Sequence, residues 1–193
     1  MKTFVLHFFL FLISIHLSAQ YGVRAGFNNS SYDSSEDYDA YIQGYHIGVF
    51  YDAKMASFLK LRTSVLYSKQ GGARDNVPEQ IRFNYLKVPL EVIFKTYTND
   101  DFHIDLHLGG YWGYMINGKY KGENQPDRAI DFDNGTDVID RKDFGASFTV
   151  AFNFGNKMIG LEGVSSIKDI DDRLNANFKG YNRSINLIGA YTF

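Results

Sequence analysis

The sequence predicts an all-β protein, an eight-stranded antiparallel transmembrane up-and-down β-barrel whose lumen is filled by side chains. Apolar and polar residues alternate through eight segments of the chain, and alternation with period two is typical of strands. The apolar row of every segment contains no charged residue. An uncharged row is typical of a lipid-facing surface, because a charge near the midplane of the bilayer costs roughly 2–4 kcal/mol.

Residues 1–19 are predicted to be a signal peptide, and residues 20–193 are predicted to form the barrel domain. Lys2 precedes the apolar run Phe4–Leu17, and we expect cleavage after Ala19. The run is shorter than the ~20 residues of a membrane-spanning helix. We therefore expect the mature chain to leave the cytoplasm without a helical anchor.

The composition narrows the class of protein further. The chain has 193 residues and a formal net charge of −2, which does not favour a nucleic-acid partner. It has no cysteine, which excludes disulfides, thiolate zinc sites and lipid attachment through a cysteine. Aromatic residues make up 17% of the chain, and 18 glycines stand against 3 prolines. These proportions favour strands with exposed aromatic side chains over a helical core.

The first four predicted strands are rich in aromatic and β-branched residues, which favour extended structure. Their apolar rows extend over Tyr21–Phe27, Tyr45–Tyr51, Leu59–Tyr67 and Leu86–Phe94. In the fourth strand Pro89 cannot donate a ladder hydrogen bond, so we expect a bulge or a kink at this position.

The last four predicted strands repeat the same pattern. Their apolar rows extend over Phe102–Tyr114, Phe144–Phe154, Ile159–Gly163 and Ile185–Phe193. The seventh strand is the weakest of the eight, because its apolar character fades after Leu161. About ten residues at ~3.3 Å each, tilted by about 40°, rise roughly 25 Å, which is the height of the apolar band of an outer-membrane barrel.

The connections between the predicted strands alternate in length. The short connections cover residues 52–57, 95–101 and 155–156, and the long ones cover residues 30–41, 70–80, 117–141 and 168–180. Outer-membrane barrels have short periplasmic turns and long extracellular loops, so we expect both termini in the periplasm. The pair Gly155-Asn156 fits a two-residue hairpin turn that pairs Phe152 with Ile159 and Val150 with Leu161.

The opposite row of each strand is polar, small and rich in glycine, as expected of a crowded barrel lumen. We predict that nine ionisable residues form one coupled layer in this lumen: Arg24, Lys60, Arg62, Lys87, Glu91, His103, Asp105, His107 and Glu162. If Phe94 faces Phe102, Glu91 lies near Asp105. Two carboxylates at that separation repel each other, so a lumen cation must lie between them.

Two metal-site hypotheses compete with this interpretation. His103, Asp105 and His107 alternate on one strand, a spacing that could hold a metal ion, but we favour a hydrogen-bonded network. The first and third loops are acidic, and their acids are Asp33, Glu36, Asp37, Asp39, Asp131, Asp133, Asp137 and Asp140. A calcium site is conceivable there, but the spacing within Asp131–Gly135 departs from an EF-hand loop, so we favour solvated loops and predict no cofactor.

Five short motifs, taken in their order along the chain, resemble the PorT-like outer-membrane β-barrel family of the Bacteroidota. They are Gly22–Phe27, Tyr67–Gly71, Tyr85–Leu90, Gly109–Met115 and Gly189–Phe193. The resemblance implies a small barrel behind a cleaved leader and, for the namesake of the family, a role in type IX secretion. The C-terminal Phe193 resembles the assembly signal of outer-membrane barrels, which implies the barrel assembly machinery as a partner.

The expected function is structural or interaction-based. No nucleophile motif accompanies the serines and histidines, so we do not expect an enzyme. A membrane-embedded lipid-modifying enzyme and a soluble lipocalin-like carrier are the alternatives, and the carrier would turn its apolar rows inward. Besides the assembly machinery, the expected partners are outer-membrane lipid and other envelope proteins.

Overall fold

The chain forms the predicted closed barrel of antiparallel strands. The computed structural model describes residues 19–34, 38, 40–75, 78–99, 102–122, 126–132, 139–170 and 180–193, so nearly all of the predicted signal peptide lies outside the described residues. The strands are β1 (Ala19–Ser34), β2 (Ala40–Lys54), β3 (Leu59–Ala73), β4 (Gln80–Thr98), β5 (Phe102–Lys121), β6 (Arg128–Ala129), β7 (Lys142–Phe154), β8 (Lys157–Ser166) and β9 (Gly180–Thr192). In the described part of the chain, the two-residue β6 pairs only with β5, and the eight long strands close the ring through the β4–β5 pairing.

The stagger of the strands fixes the width of the barrel. Register partners followed once around the ring lead from His103 to Gly113 on β5, a displacement of ten residues. Eight strands staggered in this way tilt by roughly 35–45° and enclose an interior that side chains can fill. We call the end with the turns after β2, β4 and β7 the turn end, and the opposite end the loop end.

The apolar rows face outward and the polar rows face the lumen. Phe27 is 75% exposed and Leu161 is 58% exposed, whereas Arg24, on the same strand as Phe27, is 1% exposed. This arrangement excludes the soluble lipocalin-like carrier, whose interior would be lined by the apolar rows. The apolar rows form an uncharged belt on the outer surface, which lipid tails solvate.

We expect the folded protein to require detergent for extraction and to migrate anomalously on a denaturing gel unless it is boiled. The physical reason is that water cannot solvate a continuous outward belt of apolar side chains. Fractionation with and without detergent, followed by gels of boiled and unboiled samples, checks this expectation. Recovery of a soluble periplasmic monomer would contradict it.

Strands β7 and β8 meet at the predicted two-residue turn. The register pairs Phe152 with Ile159 and Val150 with Leu161, which confirms the prediction. Gly155 has a φ of 56°, in the left-handed region that glycine adopts without a steric penalty. This turn therefore sets apolar row against apolar row across the hairpin.

Pro89 does not cause the predicted bulge. The ladder between β3 and β4 passes from the pair Thr63–Leu90 to the pair Leu66–Lys87 and keeps its register. The proline removes one donor, but its fixed φ is compatible with an extended chain. Its effect is therefore a local gap in the ladder.

The predicted register between the fourth and fifth strands is wrong. Phe94 lies opposite Leu106 and not opposite Phe102. Strand β4 continues beyond its predicted end, so the turn is tighter than the predicted connection and the register moves by four residues. Glu91 and Asp105 are consequently not neighbours across the two strands.

Several strands extend into the predicted long loops, because their polar alternation continues past the apolar band. At the loop end of β5 the pairing with β4 shifts by one residue. Tyr85 pairs with Met115, whereas Asn84 pairs with Asn117. The extra residue, Ile116, forms a β-bulge.

Candidate functional site

The centre of the lumen holds a guanidinium group between two carboxylates. Arg24 Nη1 donates to Glu91 Oε2 at 3.1 Å, and Arg24 Nη2 donates to Glu162 Oε1. Asn186 Nδ2 donates to the other oxygen of Glu162 at 2.6 Å. All four side chains are buried. The charged groups come from β1, β4 and β8, so this central cluster links distant parts of the barrel wall.

Two histidines flank the central cluster. His107 Nδ1 lies 3.5 Å from Glu91 Oε1. His46 lies on β2 beside Gly26, where a Cβ would come within 2.6 Å of the imidazole ring. The glycine therefore makes room for the ring, which is one reason why the lumen row is rich in glycine.

The turn end of the lumen holds a second ion pair. Arg62 Nε and Nη2 donate to the two oxygens of Asp52 at 2.6 and 2.9 Å. Lys60 Nζ lies 3.9 Å from Asp52 and is partly exposed, and the Arg62 guanidinium lies 4.0 Å from the centre of the Phe50 ring. Asp52 was assigned to a turn by the sequence analysis. Its spacing of two residues from Phe50, which also faces inward, was the signal that Asp52 faces the lumen.

His103 and Asp105, which were predicted to lie in the lumen layer, form a further pair at the turn end. His103 Nε2 lies 3.5 Å from Asp105 Oδ2, and Asn153 Nδ2 donates to that oxygen at 3.1 Å. His107 contacts Glu91 instead, so the three side chains with metal-ligand spacing do not converge. Within the described ranges, no three His, Cys, Asp or Glu side chains are grouped closely enough to hold a metal ion.

A third polar group lies between the central cluster and the loop end. Lys87 Nζ donates to Gln70 Oε1 at 2.7 Å and lies 4.3 Å from the centre of the Tyr111 ring. The Tyr111 hydroxyl donates to Asp143 at 3.0 Å, and Ser166 Oγ donates to the other oxygen of Asp143 at 2.6 Å. These partners of Lys87 were not predicted from the sequence. The even spacing of Tyr111 from His107 along β5 was the available signal.

The ionisable residues therefore form groups at different depths, and the prediction of one layer is wrong. Arg62 lies at the turn end, Arg24 lies at the centre, and Lys87 lies towards the loop end. The stagger explains the difference. Because a registered row climbs around the ring, residues of one row, such as Arg24 and Lys87, lie at different depths.

An apolar cluster, which we call the cap, fills the loop end of the barrel. Its buried members are Tyr32, Tyr38, Ile81, Phe83, Tyr85, Met115, Ile130 and Ile170. They come from β1, β4 and β5 and from the segments that follow β1, β6 and β8, so loop residues pack onto strand residues. Gly118 permits this packing, because a Cβ there would come within 2.7 Å of Ile130.

We expect reconstituted protein to show at most small and rare conductance steps. The cap packs across the loop end, and the cavity beside His46 and Glu162 in the lumen has a volume of only about 20 Å³. A hydrated ion needs a continuous aqueous path, and a filled eight-stranded barrel does not provide one. Planar-bilayer recordings check this expectation, and steady currents of porin size would contradict it.

Two of the acids that were predicted to lie in the long loops form ion pairs. Asp33 pairs with Arg183 at 2.9 Å, and Asp140 pairs with Lys168. Burial alone would raise the pKa of Asp140, but the hydrogen bond from Lys168 leaves this pKa lowered. These two acids are thus neutralised by protein cations. Glu36, Asp37, Asp39, Asp133 and Asp137 lie outside the described residues.

The sequence matches the model of an outer-membrane family, and the fold is similar to that of solved outer-membrane barrels. No helix in the described part of the chain is long and apolar enough to cross a membrane. The family model of the outer membrane protein beta-barrel domain matches residues 14–167. The chain belongs to this family.

The fold of this outer membrane beta-barrel protein is similar to that of solved barrels. Neisserial surface protein A has a TM-score of 0.52 at 10% identity, with 91% of this chain and 99% of that chain covered. Ail of Yersinia pestis has a TM-score of 0.48 at 15% identity, with 91% of this chain and 99% of that chain covered. The outer membrane enzyme PagL has a TM-score of 0.47 at 12% identity, with 86% of this chain and 98% of that chain covered. At such identities the likeness concerns the fold alone. No curated protein matches the sequence.

Proposed function

We propose that this outer membrane beta-barrel protein has an interaction role, in which the barrel anchors the cap at the cell surface for other envelope proteins. The observation that carries the proposal is the cap itself. Loop residues Tyr38, Ile130 and Ile170 are buried against strand residues, so parts of three loops share one core with the strands. A filled lumen favours such a role over transport of a solute.

The proposed orientation places the turn end and both termini in the periplasm. The supporting observation is the asymmetry of the connections, which are short at one end and long at the other. In this scheme a cleaved signal peptide delivers the chain to the periplasm, and the barrel assembly machinery inserts it. Lipid of the outer membrane then solvates the outward rows.

A photo-crosslinking amino acid beside the cap residue Ile130 tests the interaction role. We choose Ala129 on β6, which is exposed at the loop end, and compare it with Met55, which is 49% exposed at the turn end. We expect defined protein adducts in whole cells from position 129 and a different set or none from position 55. Adducts to lipid alone at position 129 would contradict the proposal.

An accessory role in type IX secretion is the more specific part of the proposal. Its support is the order of the five motifs that resemble the PorT-like family, from Gly22–Phe27 to Gly189–Phe193. We expect a deletion strain of a type IX-secreting host to retain secreted cargo in the periplasm, with recovery on complementation. Normal secretion in the deletion strain would restrict the protein to other envelope partners.

The placement of the histidines supports this proposal over a lipid-modifying enzyme. A base that acts on lipid must reach the outer surface, but His46 and His107 are buried in the lumen and His103 lies at its turn end. We therefore expect purified protein to leave phospholipid and lipid A unchanged by mass spectrometry. Turnover by the purified barrel would favour the enzyme.

A further inference from the structure

A basic face lies on the outward side of β3, β4 and β5 at the loop end. It begins directly beyond the row of Tyr67, Leu86 and Tyr114, which are in register on the three strands. Its nine positions form three further registered rows: Lys69, Asn84 and Asn117; Gly71, Arg82 and Lys119; Ala73, Gln80 and Lys121. The basic face is thus continuous with the lipid-facing surface of the same strands.

The inward neighbours of these residues establish that the face points away from the barrel axis. Gln70, which follows Lys69, reaches into the lumen to accept from Lys87. Ile81 and Phe83, on either side of Arg82, are 1% and 0% exposed in the cap. Tyr120, between the two lysines of β5, also packs against the cap. The cations between these inward residues therefore face outward.

The nine positions carry four cations and no carboxylate. Lys119 Nζ donates to Asp127 at 2.6 Å, so a neighbouring acid offsets one of the four charges. Arg82 Nε and Nη2 donate to Gln80 Oε1 at 3.1 and 2.9 Å, which holds the guanidinium against the sheet. The face keeps an excess of positive charge beside amide groups that can donate hydrogen bonds.

On β9 the cation at the position matching Lys69 is neutralised. Arg183 on β9 lies two residues beyond the exposed Ile185, as Lys69 lies two residues beyond Tyr67. Arg183, however, pairs with Asp33 at 2.9 Å. The matching cation on β9 is therefore offset by a carboxylate of the neighbouring strand β1.

We propose that the basic face binds the phosphate groups of anionic lipids in the leaflet at the loop end. Lipid phosphates occupy the layer directly outside the acyl tails, and the face begins where the apolar row ends. Lysine and arginine bind phosphate through charge-assisted hydrogen bonds, and cations next to a membrane surface attract anionic lipid. The proposed orientation makes this the outer leaflet, but the binding itself does not depend on that orientation.

The protein supplies its own reporter for the test. Trp112 is the one tryptophan of the chain, lies on β5 two residues before Tyr114, and is 39% exposed on the outer surface. Bromine atoms on lipid tails quench indole fluorescence on contact. The experiment reconstitutes the barrel in vesicles with brominated phosphatidylglycerol or brominated phosphatidylcholine and derives a relative binding constant from the quenching.

We expect the anionic lipid to be preferred at least about threefold at low salt, with a smaller preference at high salt. The double variant K69Q/R82Q should lower the ratio towards one, whereas R183Q, the matched control, should leave it unchanged. The proposal would be overturned if the inserted parent barrel showed no preference for the anionic lipid, or if the double variant K69Q/R82Q kept the preference of the parent. Neither result would affect the proposed interaction role. If soluble inositol hexakisphosphate binds the face while the lipid ratio stays at one, the face takes soluble anions and the proposal is wrong.

Discussion

Replacing Arg24 with methionine should lower the free energy of unfolding by about 3–5 kcal/mol. The substitution removes the guanidinium that binds both Glu91 and Glu162, and both carboxylates are buried in the lumen. Two buried carboxylates without their cation lose their main electrostatic compensation and repel each other. Replacing Arg62 should have a smaller effect, because Lys60 lies 3.9 Å from Asp52 and the turn end is closer to water.

Urea unfolding of the refolded barrel in detergent, followed by Trp112 fluorescence, measures this difference. The control is Lys121→Met, at the loop end of β5, for which we expect a change of about 0.5 kcal/mol or less. The triple variant R24M/E91Q/E162Q should recover most of the loss, because it removes the uncompensated charges together with their partner. Equal and small effects of R24M and K121M would refute the role of the central cluster.

Deleting Phe193, or changing it to aspartate, should sharply lower the amount of protein in the outer membrane. Its N–H donates to Tyr21 O at 2.9 Å, and its ring lies 5.5 Å from that of Tyr191 and 6.2 Å from that of Tyr21. The residue thus completes the closure of β9 onto β1. Until the strands close, both edges expose unpaired backbone groups to lipid, at a cost of several kcal/mol each.

Immunoblots of outer-membrane fractions at matched expression measure this effect. The control is Phe58→Asp, since Phe58 is 58% exposed in the turn after β2 and lies away from the closing strands. Phe178, in the predicted last loop and expected to tolerate the same change, lies outside the described residues. If the Phe193 variants accumulate like the parent, the closure argument at the C-terminus is wrong.

The alternation of the sequence was sufficient to predict the fold, because lipid tolerates so few exceptions. Each outward row had to be uncharged over its whole length, and the hairpin at Gly155 then fixed the register of its two strands. The same alternation predicted that the side chains of Arg24 and Glu91 face the lumen. Their identity as lumen residues was thus predictable without any knowledge of their partners.

The contacts between lumen residues, in contrast, could not be predicted from the alternation within any single strand. Whether Glu91 meets Asp105 or Arg24 is decided by the stagger around the ring, and that stagger depends on turn lengths and bulges. The cap could not be predicted from the sequence either, because Tyr38, Ile130 and Ile170 are isolated apolar residues in polar loops. Only the closed barrel brings them onto Phe83 and its neighbours.

The bulge at Ile116 changes which residues of β5 face inward. Before it, odd-numbered residues such as Met115 face inward, and after it the even-numbered Tyr120 does so. A strand of the same sequence that alternated regularly through Ile116 would turn Lys119 and Lys121 towards the apolar core of the loop end, since a shift of one position exchanges the two faces. The bulge therefore uncouples the two parts of β5, so that the residues before Ile116 and the residues after it each have their own assignment of inward and outward positions.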